Sequence, residues 1–235
     1  MPTPVRFIMR LAPAALLLAL AAGPVLAHGV ADKDATFIAA NPGPQVVPFL
    51  YLGAKHMVTG YDHLLFLAGV IFFLRRLRDV ALYATLFSLG HSVTLLSGVL
   101  ARVHVDPFLV DAVIGLSVVW KAFDNLGGFP AIMGRQPDNR IVVAGFGLVH
   151  GFGLATKLQD LRLSADGLVG NILAFNLGVE IGQLLALSVL VLVFAAWRAT
   201  PAFRRTAVAA NLLLMTAGFV LTGQQLAGFA FQGGR

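Results

Sequence analysis

The chain has no cysteine, a single glutamate and few charges of either sign: 12% of its 235 residues are Asp, Glu, Lys or Arg, about half the share in a soluble domain. The missing thiols exclude disulfide frameworks, thiolate zinc sites and cysteine nucleophiles together. Any metal must therefore be held by imidazole, carboxylate, amide or main chain. The scarcity of charge, with 58% hydrophobic residues and a mean hydropathy of +0.83, places the chain in a lipid bilayer. The formal charge of +6 sits in short clusters between apolar runs, which reads as a topology signal and argues against a nucleic-acid partner.

Residues 1–27 have the parts of a secretory signal peptide: Arg6 and Arg10, an apolar run from Leu11 to Leu20, then Val25-Leu26-Ala27 as a small-residue cleavage site. Cleavage after Ala27 makes His28 the mature N-terminus, whose amine and imidazole could chelate an incoming ion. Residues 28–45 are polar and punctuated by Pro and Gly, an exposed lead-in outside the cytoplasm. Residues 46–235 are expected to form an all-α, polytopic bundle of six transmembrane helices. The run from Val46 to Leu74 is too long for one straight helix through a ~30 Å core. It is expected to break into a short interfacial piece and a span from about His56 to Leu74. Further spans are expected at Val80–Leu100, Phe108–Leu126, Ile141–Thr156, Leu168–Trp197 and Ala207–Phe231.

Orientation follows from the basic residues of the linkers. Arg75, Arg76 and Arg78, then Arg135 and Arg140, then Arg198, Arg204 and Arg205 fall in alternate linkers and belong in the cytoplasm. The other linkers hold only Arg102, Lys157 and Arg162, which agrees with an exported N-terminus.

An ionisable group in a bilayer core costs at least ~2.5–3.5 kcal/mol, so each needs a partner or a purpose. Counting along the expected helices at ~1.5 Å per residue brings Asp62, His63, His91, His150 and Glu180 to nearly one depth. His56 lies seven residues before His63, on the same stripe of a continuous helix. Asn176, Glu180 and Gln183 form one polar face. Gly147 and Gly151, with Gly145 and Gly153 beside them, let a neighbouring backbone approach His150. Metal ligation by His56, Asp62, His63, His91, His150 and Glu180 follows, with His28, Ser92, Asp111, Asn176 and Gln183 as supporting or pathway residues. Imidazole and oxygen donors without thiolate suit Ni²⁺, Co²⁺, Zn²⁺ or Fe²⁺. Lys121, with Asp124 and Asn125 three and four residues on, reads as a structural pairing. Phe87-Ser-Leu-Gly-His91 echoes Phe146-Gly-Leu-Val-His150 on two helices of one direction.

At these residues the chain resembles the HupE/UreJ family, in particular the branch with the run Gly-Tyr-Asp-His-Leu-Leu-Phe, here Gly60 to Phe66. Leu89 to Leu95, Phe146 to Phe152 and Phe175 to Gln183 look like its other blocks, and the resemblance covers roughly Gly53 to Val193. It implies a bacterial inner-membrane protein, a nickel permease linked to hydrogenase and urease accessory functions and so to metalloenzyme-maturation partners. His56-x5-Asp62-His63 is similar to the His-x4-Asp-His signature of nickel/cobalt transporters, with one residue more. Lys121 stands where the family pattern has an apolar residue. The leading expectation is a permease for a divalent metal ion. The rivals are an intramembrane metal-dependent hydrolase and a metal-binding assembly factor. A lipid-facing opening beside the metal would favour catalysis, and a polar track toward both faces would favour transport.

Overall fold

The apolar runs fold as helices: the computed structural model describes residue 38 and residues 43–160 and 166–232, and among these there is no strand. The proposed signal peptide and His28 lie outside the described residues. The helices are α1 (Val46–Thr59), α2 (Tyr61–Ile71), α3 (Leu77–Leu100), α4 (Pro107–Asn125), α5 (Gly128–Met133), α6 (Asn139–Asp160), α7 (Leu168–Arg198) and α8 (Pro201–Gln232). By length and composition α3, α6, α7 and α8 can cross a membrane. Helix α2 is apolar but has only 11 residues. Helix α4 has 19, diluted by Asp111, Lys121 and Asp124.

The expected break in the first run is present, but not where the sequence suggested. Gly60 leaves the helical region at φ −74°, ψ 93°, so His56 ends up on α1 and His63 on α2. Helix α1 is a full 14 residues long. It packs along α7, where a Cβ at Gly53 would strike the Phe175 carbonyl and one at Gly178 the Leu50 carbonyl. The reason lies in two uses of glycine: Gly53 permits close approach, whereas Gly60 permits the bend. A Cβ at Gly60 would also stand 3.0 Å from His63 Nδ1 and 3.1 Å from an Asp62 carboxylate oxygen, so its absence makes room for both side chains.

Three tight helix pairs frame the bundle. Helices α1 and α7 run parallel, with Gln45 and Gly43 bonded to Asn171 at one end and Met57 against Gly182 further along. Helices α3 and α6 also run parallel, Phe87 meeting Gly147 and Gly98 meeting Ala155. Helices α4 and α8 are antiparallel, with Thr222 bonded to the Ala112 carbonyl and Asn125 to Asn211. Small residues let these backbones touch, and that contact supplies the dispersion energy that lipid cannot. Helix α2 sits among the pairs with Asp62, His63 and every residue from Leu65 to Ile71 buried.

The arginine-rich linkers gather at one end. Arg198 at the end of α7 donates to the Ile71 and Leu74 carbonyls just past α2, a cation placed where a helix C-terminus is electronegative. Phe72, Phe73, Phe194, Trp197 and Phe203 stack around it. At the opposite end Asp106 caps α4, accepting from Phe108 N at 2.8 Å and Leu109 N at 3.3 Å, with Pro107 following. Asp106→Ala should lower stability by about 1 kcal/mol. Thermal unfolding in detergent measures this, and an unchanged midpoint would remove the cap from the account.

Candidate metal centre

The break at Gly60 puts the N-terminus of α2 in the interior, and its first turn carries Asp62 and His63. Asp62 is favoured there by the positive end of the helix dipole, and one of its oxygens lies 3.0 Å from His63 Nδ1. That contact leaves His63 Nε2 as the ring's free donor or acceptor. His63 is the hub of four imidazoles: its ring centre is 5.1 Å from His56 on α1, 6.2 Å from His91 on α3 and 4.8 Å from His150 on α6. Four helices thus contribute one imidazole each. His63, His91 and His150 are buried, and His56 is half-buried.

Phenylalanines wall the cluster. Phe87 stands 4.9 Å from His150 and 6.3 Å from His91, Phe66 lies 5.5 Å from His150, and Phe175 lies 6.2 Å from His56. Apolar walls leave the ring nitrogens little to bond. His56 Nε2, His63 Nε2, both nitrogens of His91 and His150 Nδ1 are buried without a hydrogen-bond partner. His63 Nδ1 has Asp62, and His150 Nε2 has Ser117 Oγ at 3.4 Å. An unsatisfied buried polar group costs ~1–3 kcal/mol, and a protein normally leaves very few. Five in one spot mark a site whose donors are held for something other than stability.

A metal bound at about 2.1 Å from ring nitrogens would set ring centres roughly 4.5–6.5 Å apart, so the spacing around His63 fits a shared ion. The aim does not yet fit: among the described residues no group of three or more His, Asp or Glu stands ready to hold a metal ion. The rings meet edge to face, and ring rotation is needed before their nitrogens point at one centre.

The remaining sequence candidates fall elsewhere. Glu180 is exposed on α7 and pairs with Ser88 Oγ at 3.4 Å; it is not brought to the histidines. Asn176 bonds Ser92, and buried Gln183 donates to the Ala84 carbonyl at 3.0 Å. The polar face of α7 therefore meets Ala84, Ser88 and Ser92 of α3, one turn apart each, as interhelical adhesion. The expected place for Glu180 is beside the histidines; it stands against Ser88 of α3 instead. Glu180→Gln should leave metal affinity of the purified protein unchanged, as equilibrium dialysis against Co²⁺ reads, and a marked loss would return Glu180 to the site. Asp111 lies away from the rings in an ion pair with Lys157, 2.8 Å and 3.1 Å from its two oxygens. Lys121 pairs with Asp124 as expected, but Asn125 bonds the Gly69 carbonyl and Asn211 instead.

The sequence reading missed Ser117 and the Phe87–Phe66 wall. Ser117 shares the buried face of α4 with Asp111 and Lys121, a spacing visible in the sequence. Of the four glycines noted on α6, Gly147 and Gly151 serve close approach to α3, Gly153 meets the Val110 side chain at 3.1 Å, and Gly145 faces open space.

A family model described as HupE / UreJ protein matches residues 32–233. No curated protein and no solved structure matches the chain.

Proposed function

The chain belongs to the HupE/UreJ family, which points to a membrane protein connected with nickel or cobalt, and on that premise we propose that it is a permease for a divalent transition metal, nickel or cobalt foremost. In this reading six spans cross the bacterial inner membrane: the broken α1–α2 segment, α3, α4, α6, α7 and α8. A cleaved signal peptide precedes them, and the mature N-terminus lies in the periplasm. The arginine-rich end then faces the cytoplasm.

The observation that carries the proposal is the set of unpartnered ring nitrogens from four helices around His63. The ion is cargo, taken by His56, His63, His91 and His150 after ring rotation. Asp62 fixes the His63 ring and supplies negative charge nearby. Joining donors through rotatable rings rather than a rigid cage suits release as well as capture. The membrane potential supplies direction, since a 2+ charge moving inward across about 100 mV gains about 4.6 kcal/mol.

One feature favours transport over intramembrane catalysis. Buried polar groups on α4 continue on both sides of His150. Uptake into proteoliposomes with an inside-negative potential is the test. Entry of Ni²⁺ or Co²⁺ above protein-free vesicles is expected, and no uptake of Ni²⁺, Co²⁺, Zn²⁺ or Fe²⁺ would end the proposal.

A further inference from the structure

Helix α4 passes beside His150, and its buried face carries charge on either side of it. Asp111, Ser117, Lys121 and Asp124 are all buried there, spread over roughly 20 Å of helix rise. At one end Lys157 from α6 holds both oxygens of Asp111, at 2.8 and 3.1 Å. Lys157 lies seven residues beyond His150 on α6, and Asp111 stands 3.5 Å from where a Cβ at Gly153 would be, so this pair sits along the same helix as His150, toward that end. In the middle Ser117 approaches His150. At the arginine-rich end Lys121 pairs with one Asp124 oxygen while the Gln136 amide donates to the other. The stem of Lys121 lies across Gly69, where a Cβ on α2 would stand 3.1 Å from Lys121 Cγ. The base of its side chain thus fills the contact between α2 and α4, while its ammonium stays on Asp124 of its own helix.

Stability alone gives little reason for these pairs, because apolar residues of similar volume usually serve a buried position as well or better. Charges inside a membrane mark an ion's route more often than they mark a structural bond. An ammonium against a carboxylate is also an electrostatic stand-in for a metal ion against it. We propose that Asp111 and Asp124 are the carboxylates on which a divalent cation pauses on either side of the histidine cluster, and that Lys157 and Lys121 are tethered cations that hold those places until the ion displaces them. The ion must displace the ammonium rather than join it, because two more positive charges within a few ångström of an ammonium repel it strongly in a medium of low polarity. Each lysine thereby closes its end of the path when no cargo is there. This rests on the permease reading and adds its gates.

The experiment compares the wild type with two variants that exchange a pair for apolar residues, Lys121→Met/Asp124→Leu and Lys157→Met/Asp111→Leu. Each is assayed for thermal unfolding, Co²⁺ binding in detergent and Co²⁺ uptake in proteoliposomes. The expected result is unchanged unfolding and an unchanged affinity of the histidine site, with any weaker Co²⁺ binding at the exchanged pair lost and uptake reduced about tenfold or more, the scale set by losing one charged contact along the path. A folded variant that transports at the wild-type rate overturns the gates and leaves the permease standing. Loss of Co²⁺ binding at the histidine site together with uptake overturns them too, by assigning the pairs to the integrity of that site. A wild type that takes up no metal removes the permease reading and the gates with it. Should neither variant fold, reductive methylation of the wild type decides: Ni²⁺ is expected to raise labelling of Lys157 several-fold by freeing its ammonium, and labelling indifferent to Ni²⁺ overturns the proposal.

Discussion

Replacing His63 with alanine is expected to lower the affinity of the purified protein for Ni²⁺ or Co²⁺ by on the order of 100-fold or more, the largest loss among the four histidine variants. The magnitude follows from role: altering a group that merely orients a ligand costs ~10–100-fold, and His63 is proposed as a ligand. The ranking follows from position. His63 adjoins each of the other three imidazoles, is oriented by Asp62 and is 3% exposed, whereas His56 is only half-buried. His56→Ala should therefore cost least. Stability should respond differently from affinity: the substitution loses the Nδ1 contact with Asp62, whereas Nε2, the atom left for the ion, has no hydrogen bond to lose. Isothermal titration of each variant with Co²⁺, alongside its unfolding midpoint, separates the two. Equal affinities for the wild type and His63→Ala would mean that the cluster does not bind the ion.

The sequence showed depth well and direction poorly. Apolar runs gave the helices of the described region, because the length an α-helix needs to cross a bilayer is set by a fixed rise per residue. The same arithmetic put His63, His91 and His150 at one level, and their helices do bring them together. Rotation about a helix axis has no such rule when every face is apolar. Glu180 stands against Ser88 at the exposed rim of the polar face that Asn176 and Gln183 also turn to α3, a partner that the sequence of α7 does not name. The break was legible as a need but not as a place, since Gly53 and Gly60 look alike until α7 is known to lie against the first. Helix α4 was legible despite its charges: the segment expected at Phe108–Leu126 is the helix Pro107–Asn125. Asp111, Lys121 and Asp124 dilute its apolar character, and all three are paired inside the bundle. The echo of Phe87 and His91 in Phe146 and His150 corresponds to a physical neighbourhood, the parallel pair α3–α6, whose two imidazoles both face His63.

That pair sets the second large effect. Gly151→Val is expected to destabilise the protein by about 3 kcal/mol or more, at the upper end of what overpacking costs. It should also abolish metal binding in whatever protein still folds. A Cβ at Gly151 falls on the His91 carbonyl and the Thr94 hydroxyl, and one at Gly147 falls on the Phe87 carbonyl. Backbone cannot change rotamer to yield, so the two helices must separate along the stretch that carries His91 and His150. Thr94 would lose its bond to the Leu148 carbonyl, now 2.7 Å, and keep only those to the Gly90 and His91 carbonyls of its own helix. Gly145→Ala on the same helix is the control. Nothing lies within 4 Å of a Cβ there, so alanine should be neutral or stabilise by up to about 1 kcal/mol through helix propensity alone. Unfolding in detergent reads both variants. If both melt alike, the glycines of α6 are not what holds it against α3, and close backbone contact does not position the imidazoles.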